Sequence, residues 1–190
     1  LHLDLAIATL DRPDQPGLLR NIRLQGDGSN QAHRLSASAE MAGQTQLNLA
    51  AEGGISSDFT TWQGRLLDAR ATGTDPSRNV RLAGPTPIKL TANAWTLGPA
   101  KLTGDPLDWQ ATLQASADAR QLRASLSASG SRLGRMEGDL SAAMRGAWSL
   151  DQQARWQGRL KTEISDLGWL AEQIGQGWQS EGHLNGELQL

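Results

Sequence analysis

The chain has 190 residues with 18 basic and 20 acidic side chains, and its net charge of −2 excludes the basic surface that nucleic acids select. It has no cysteine, which excludes disulfides and thiolate metal sites, and no apolar run long enough to span a bilayer. Seven tryptophans and one phenylalanine are its only aromatic residues. Because the sequence opens on Leu1 and stops within an alternation at Leu190, we interpret it as a segment of a longer protein.

Apolar and polar residues alternate along most of the chain, which is the period of a β-strand with one buried face. In residues 1–60 such runs are 1–7, 22–24, 35–41 and 47–51. Glycine-rich sequences that favour turns lie between them, as at 26–29 and 53–54. This part of the chain is therefore expected to be a series of strands.

The pentapeptide Trp-Gln-Gly-Arg-Leu occurs twice, at 62–66 and at 156–160. In both copies the tryptophan, the glycine and the leucine occupy alternate positions, which predicts a strand with those three residues on its apolar face. Glycine weakens a strand, so we expect it to make room for the indole or to let the sheet bend.

The alternation continues to the end of the chain, at 80–82, 88–92, 107–117, 122–129, 136–144, 156–164 and 184–190. The connection 118–121 is short and polar, which predicts a hairpin between the runs on either side of it. The stretch 165–175 departs from the pattern, because its apolar residues lie three and four positions apart. Ser165 or Asp166 can cap its start and Gly175 can end it, which predicts one short helix near 166–175.

About a dozen one-sided strands and a single short helix leave no helical layer to cover the sheet. The sheet is therefore expected to fold over on itself, as a sandwich, a barrel or an open trough. Alanine dilutes the leucine at inward positions, which leaves space along the wall, although alanine also lets two walls pack closely. With about 4.8 Å between strands, a dozen of them would form an elongated all-β body of roughly 55 Å.

Few residues offer catalytic or metal chemistry. His2 and His183 fall at outward positions and His33 at the start of a strand, so we interpret all three as surface histidines. Outward carboxylates are scattered, at Asp108, Asp118, Glu137, Asp139, Glu163 and Glu187. No catalytic motif is present, so the chain is predicted not to be an enzyme and to use no cofactor or metal. A carboxylate pair facing across a groove, as a glycosidase uses, stays open at this point.

Two stretches, 62–104 and 135–190, resemble the repeat of the TamB family, the inner-membrane subunit of the translocation and assembly module. The matching features are a W-x-G-x-L strand, a P-x-x-L-x-x-x-x-x-x-L-G-x-A-x-L block, a D-L-x-W-L helix and the G-x-L-x-G-x-L-x-L sequence after it. The resemblance covers about half to two-thirds of the chain. The family belongs with the AsmA-like and bridge-like lipid-transfer proteins.

The resemblance implies a long antiparallel sheet folded into a U-shaped trough, or β-taco, with a greasy interior. On this interpretation the chain is one segment of a repetitive protein, with possible sub-units 1–60, 61–134 and 135–190. Family members are anchored in the inner membrane and extend across the periplasm towards an Omp85-type, TamA-like partner in the outer membrane. They are implicated in outer-membrane protein assembly and in phospholipid transport, which implies a periplasmic chain with acyl chains as its ligand and no nucleic acid.

Inward-facing apolar residues are then expected to line a groove that shields acyl chains. The predicted contact residues are Leu3, Leu5, Ile7, Leu47, Leu49, Trp62, Leu66, Leu90, Trp109, Leu113, Leu126, Leu140, Trp156, Leu160 and Leu188. One alternative is that they form the dry core of a purely structural extracellular β-repeat. The other is a carbohydrate-binding β-domain, which would place its tryptophans on the polar face, whereas these three tryptophans alternate in phase with leucine.

Overall fold

The computed structural model describes residues 2–12, 15–41, 45–74, 79–105, 108–131, 134–150, 154–164 and 184–189. These ranges form one antiparallel sheet of fourteen strands. The strands are β1 (His2–Arg12), β2 (Gln15–Gly28), β3 (His33–Met41), β4 (Thr45–Ile55), β5 (Thr61–Thr72), β6 (Asn79–Leu82), β7 (Thr86–Thr91), β8 (Ala94–Asp105), β9 (Trp109–Asp118), β10 (Gln121–Gly130), β11 (Gly134–Gly146), β12 (Ser149–Leu150), β13 (Gln157–Ile164) and β14 (Leu184–Gln189). The all-β prediction is confirmed, and the described ranges contain no helix. The helix expected near 166–175 lies outside the described residues.

Neighbours in the sheet are almost always neighbours in the sequence. The path runs from β1 to β5 in order, and β6 and β7 then share the space between β5 and β8, because β6 pairs with one half of β5 and β7 with the other. The hairpin predicted around 118–121 is confirmed as β9 and β10, in which Leu113 lies opposite Leu126. The short β12 pairs only with the end of β11, which pairs with β13 along the rest of its length.

The registers keep apolar residues together on one face of the sheet, since directly opposite residues in an antiparallel pair point to the same side. One row that crosses six strands is Ala100, Leu113, Leu126, Gly138, Leu160 and Leu188. A row in the other half is Leu5, Leu24, Ala37, Leu49 and Ala69. We call the side of the sheet that these rows share the apolar face.

Three irregularities keep the apolar residues in phase where strict alternation would move them to the other side. In β2, Asn21 adopts a φ of 51° where two residues lie opposite one of β3. In β5, Leu67 has no partner on β4, so that Leu66 and Ala69, three positions apart, lie on the same face. In β8, Gly98 and Pro99 together oppose a single residue of β9. Each β-bulge adds one residue to a strand and so restores the side-chain pattern beyond it.

The sheet curls towards its apolar face near β8. The Trp95 indole N–H donates to the carbonyl oxygen of Ala147 at 2.9 Å, in the turn between β11 and β12. On a flat sheet, β8 and β11 would be three spacings of about 4.8 Å apart, which is farther than an indole reaches. The sheet must therefore bend, and the bend makes the apolar face concave at this end.

Small residues are the most buried part of the apolar face. Ala100 and Ala117 are 3% exposed and Ala142 is 4% exposed. Each lies among taller side chains of the neighbouring strands, as Ala117 does between Trp95 and Leu122. The alanines are thus the floor of the face, and the leucines and tryptophans stand above them.

The opposite face carries the charges. A row of polar side chains crosses the first five strands as His2, Asp27, Arg34, Glu52 and Arg65, with charges of alternating sign from Asp27 onwards. His2 Nδ1 lies 2.8 Å from Asp27 Oδ1, Arg34 Nε lies 3.8 Å from Glu52 Oε2, and Arg65 also pairs with Glu52. Exposed pairs of this kind add little stability, and a slip of register would set the charges opposite uncharged residues such as Gln25, Ser36 and Gln63.

We expect Gly64→Ala to destabilise the protein. A Cβ at this position would lie 2.6 Å from Trp62 Cη2 and would clash with the carbonyl oxygen of Glu52. Overpacking of this kind costs about 1–3 kcal/mol, which corresponds to a fall in Tm of roughly 2–10 °C for a chain of this size. Thermal unfolding followed by circular dichroism measures the change. Gly186→Ala is the matched control, because the nearest atom to its added Cβ is 3.8 Å away, and an equal Tm loss in the two variants would contradict the packing explanation.

The turn between β9 and β10 is organised by a carboxylate. The backbone N–H groups of Arg120 and Gln121 donate to Asp118 Oδ1 at 2.7 and 2.9 Å. These two hydrogen bonds, the one from Arg120 first, hold the pKa of the Asp118 carboxyl below its usual value. A carboxylate with a lowered pKa stabilises the fold above its unfolded-state pKa, and this contribution disappears as the pH falls through the folded-state pKa.

Asp118→Ala should therefore lower stability at neutral pH, and its difference from the wild type should narrow as the pH falls through the folded-state pKa of the carboxyl, which lies below its usual value. Asp118→Asn keeps an acceptor oxygen without the charge, so its loss should be smaller and nearly independent of pH. Urea unfolding of the three proteins across this pH range measures the difference. A constant gap between the wild type and Asp118→Ala at every pH would show that the carboxylate charge does not matter.

Candidate functional site

The apolar face is the strongest candidate for a functional surface, because the described strands form a single sheet and supply no second layer to cover it. Large apolar side chains on it remain accessible, from 38% at Ile7 to 54% at Leu188. A monomeric soluble protein rarely exposes a continuous apolar patch of this extent unless something binds there. Exposure is greatest on the outer strands and least around β8 to β11.

The registers place all but one of the predicted contact residues on the apolar face. Leu3, Leu5, Ile7, Leu49 and Leu188 are exposed, and Leu47, Trp62, Leu66, Leu90, Trp109, Leu113, Leu126, Leu140 and Leu160 are half-buried. The cross-strand pairs Leu66 with Ala51, Trp62 with Leu90, and Leu140 with Gly158 connect them into continuous rows. The exception is Trp156, which precedes the first residue of β13.

Trp62 lies across its neighbouring strand rather than standing upright. Added Cβ atoms at Gly53 of β4 and Gly64 of β5 would each lie 2.6 Å from its indole ring. Both positions must therefore lack a side chain for the ring to lie flat on the sheet. The expectation that glycine in the first pentapeptide makes room for the indole agrees with this packing.

The indole of Trp62 reaches His33 on β3, two strands away. Trp62 Nε1 donates to His33 Nε2 at 2.7 Å, and His33 Nδ1 lies 3.0 Å from the Ser29 carbonyl oxygen. An indole nitrogen only donates and a carbonyl only accepts, so His33 is neutral with its proton on Nδ1. His33 is 6% exposed. The prediction of a surface histidine is therefore wrong for His33, because the tryptophan covers its ring and satisfies its nitrogen.

Trp109 repeats this arrangement at the other end of the strands. An added Cβ at Gly104 of β8 would clash with the indole and lie 2.6 Å from Trp109 Cζ2. On the opposite side, Gly130 of β10 pairs with Trp109. Trp62, Trp95 and Trp109 thus each cross strands of the sheet, and we call them the cross-strand tryptophans.

The second copy of the pentapeptide does not repeat the first. Trp156 is 45% exposed and lies outside β13, so the prediction that it belongs to the strand is wrong. The atoms nearest to an added Cβ at Gly158 belong to Asp139 and Leu140, whereas at Gly64 they include the Trp62 indole. In both copies Gly-Arg-Leu lies within a strand. The tryptophan lies inside the strand in the first copy and just before it in the second.

The polar face carries scattered, mostly paired charges within the described ranges. No three His, Asp or Glu side chains there lie close enough to hold a metal ion. The six outward carboxylates are exposed, as predicted. Three of them face cations directly, since Glu137 lies opposite Lys161, Asp139 opposite Arg159, and Glu163 opposite Arg135. Carboxylates paired in this way do not form the facing acid and base of a glycosidase.

Sequence reasoning missed two groups of residues. Leu97, Ala100 and Leu102 belong to the apolar face of β8, but the bulge between the first two of them breaks the period of two. His33 was missed because its partner is 29 positions away. A signal for the bulge does exist, since Gly98-Pro99 within a strand is a sequence that a regular ladder does not accept.

Comparison of the chain with protein-family models, curated proteins and solved structures finds no match. None of the described residues forms a helix that could cross a bilayer.

Trp62→Phe should lower the free energy of unfolding by about 1–3 kcal/mol, because it leaves His33 Nε2 buried without a donor. The matched control is Trp148→Phe, since Trp148 is 62% exposed in the turn after β11 and should tolerate the change to within about 0.5 kcal/mol. Denaturant unfolding monitored by circular dichroism gives both values. If Trp62→Phe proved as mild as the control, the hydrogen bond to His33 would not be contributing to stability.

Proposed function

We propose that this chain is a segment of a TamB-like β-trough that shields phospholipid acyl chains on its apolar face. The observation that carries the proposal is the continuity of that face. Apolar rows cross from β1 to β14 without a charged side chain interrupting them, while the opposite face carries the ion pairs. A surface that is continuous, apolar and uncovered suits a long flexible hydrocarbon better than a compact polar ligand.

The energetic need is large enough to explain such a surface. Each methylene exposed to water costs about 0.8 kcal/mol, so an acyl chain of about sixteen carbons costs roughly 12 kcal/mol in water. A lipid that lays its chains on the leucine rows avoids much of this cost and leaves its headgroup in solvent. Half-buried leucines such as Leu113 and Leu126 still have surface to offer such a ligand.

Movement of the lipid requires many similar sites rather than one deep one. Each site must be favourable enough to enter and weak enough to leave, which is the requirement stated for conduction through channels. Rows of leucine and alanine recur across the sheet with nearly the same composition. Neighbouring rows therefore offer similar binding energies, and a lipid can pass from one strand to the next without a large barrier.

The wider role belongs to the same proposal. In a parent protein of the TamB kind, the segment is periplasmic, and it joins an inner-membrane anchor to an Omp85-type, TamA-like partner in the outer membrane. It supports phospholipid transport and outer-membrane protein assembly there. The sequence features at 62–104 and 135–190 are what support this family proposal.

The carbohydrate-binding alternative is less well supported. A sugar stacks on an accessible aromatic face, but Trp62 and Trp109 lie on glycines of the apolar face, so one side of each ring is covered. Two of the cross-strand tryptophans also use their N–H groups within the protein, towards His33 and Ala147. The covered ring faces and the N–H groups that already donate within the protein are therefore not available to orient a sugar.

A photocrosslinking amino acid at Leu113 should capture lipid in cells that express the full-length protein, whereas the same residue at Thr112 should not. Leu113 lies on the apolar face between Ala100 and Leu126, and Thr112 lies on the polar face. Mass spectrometry of the adducts measures the result. Adducts at both positions, or at neither, would contradict the assignment.

Leu113→Asp should also block lipid capture while the fold survives, since Leu113 is only half-buried. Circular dichroism must accompany the measurement, because loss of the fold would favour the dry-core alternative.

A further inference from the structure

The aromatic residues are distributed unevenly between the two ends of the strands. Phe59, Trp62, Trp95, Trp148 and Trp156 all lie at the end that carries the turns β4–β5, β7–β8, β9–β10 and β11–β12. Among the described aromatic residues, only Trp109 lies at the opposite end, where it pairs with Gly104 and Gly130. We call the first end the aromatic rim.

The aromatic rim combines covered and exposed rings. Trp62 and Trp95 lie on the apolar face and are held by hydrogen bonds to His33 and Ala147. Beyond them Phe59 is 70% exposed and Trp148 is 62% exposed. The rings thus extend from the apolar face outwards into solvent at this one end.

The turn that presents Phe59 is firmly organised. Ser56 Oγ donates to Asp58 Oδ1 at 2.5 Å, and Thr60 Oγ1 donates to Asp58 Oδ2 at 2.9 Å. Phe59 itself has a φ of 58°, in the left-handed region that bulky residues rarely adopt. The left-handed conformation lets the Phe59 N–H donate to the Ser56 carbonyl oxygen within the turn, but the exposed ring buries no surface there. An exposed ring held in place in this way suits a contact outside the chain.

Charged groups of both signs accompany the rings. Arg120 and Arg155 are exposed at this end, and the Arg120 carbonyl accepts the N–H of Met144, which places the β9–β10 turn beside the end of β11. Asp58 and Asp118 also lie here, each accepting hydrogen bonds from its own turn. An end of the sheet that carries both arginine and tryptophan is suited to the boundary between hydrocarbon and water, where a phosphate lies next to the acyl chains.

We propose that the aromatic rim binds the glycerol and phosphate region of a phospholipid whose acyl chains run from this rim along the apolar face. This inference rests on the proposed function and adds an orientation to it. Along β9, Ala117 at the rim lies eight positions from Trp109 at the opposite end, a distance of about 27 Å at roughly 3.4 Å per residue. One leaflet of hydrocarbon is only about 15 Å thick. Chains that begin at the aromatic rim therefore end before they reach Trp109.

The test uses the absence of cysteine from the chain to introduce single labelling sites. Four single variants, Phe59→Cys, Trp148→Cys, Leu113→Cys and Ser131→Cys, each carry one fluorophore on the new thiol. Ser131 is exposed in the β10–β11 turn at the opposite end. Each labelled chain is loaded with phosphatidylcholine brominated either near the glycerol or near the end of the acyl chain. Bromine quenches only a nearby fluorophore, and circular dichroism of each variant checks its fold.

Lipid brominated near the glycerol should quench the labels at Phe59 and Trp148 most, and lipid brominated near the chain end should quench the label at Leu113 most. The label at Ser131 should lose little fluorescence with either lipid. If the Ser131 label is quenched by the glycerol-side bromine as strongly as the rim labels, the orientation is wrong but acyl chains still occupy the face. If no label is quenched, including that at Leu113, the apolar face does not bind lipid and the proposed function fails with the orientation.

Discussion

A sheet of one layer has to stabilise itself within its own plane, and this constraint explains most of the structure. Apart from the β11–β12 turn, whose Ala147 carbonyl accepts the Trp95 N–H, no described element packs against the apolar face. Most side chains there are therefore buried only by their neighbours in the same sheet. Tall and short residues share the face for this reason. Ala117 is 3% exposed because Trp95 and Leu122 flank it, whereas Leu188 on the outer strand β14 remains 54% exposed. The alanines therefore act less as space left for a ligand than as a floor that their taller neighbours bury.

The cross-strand tryptophans extend the same principle. An indole that lies flat over glycine covers backbone atoms of two or three strands at once, which a leucine standing upright cannot do. Trp62 covers Gly53 and Gly64 and reaches His33, and Trp95 connects β8 with the turn after β11. Because each ring lies on the surface and fills no interior, the sheet gains cohesion and curvature while its face stays available. The residues that hold the sheet together are thus also residues of the uncovered apolar face, which is why an open face is compatible with a cohesive sheet.

Much of the fold could be predicted from the sequence, because the period of two is strong and the strands follow one another in order. The hairpin at 118–121 and the common face of Leu113, Leu126 and Leu160 come directly from that period. The bulges could not be placed by it, since adding one residue to a strand changes which face every later residue occupies. The contact between His33 and Trp62 was also out of reach, because it depends on the register of three strands rather than on any spacing in the chain.

The repeated pentapeptide predicts the strand in both copies but does not determine where its tryptophan lies. Both copies contain a Gly-Arg-Leu strand segment, and in both the glycine and the leucine lie on the apolar face. The tryptophan differs because its place depends on the neighbouring strand. Trp62 has Gly53 beside it and an acceptor at His33, so its ring can lie down and bury its N–H. At Gly158 the neighbouring residue is Leu140, which occupies the space above the glycine that a flat indole would need, and Trp156 remains exposed before the strand. The same pentapeptide therefore provides a ring that holds strands together at Trp62 and a ring that is exposed at Trp156.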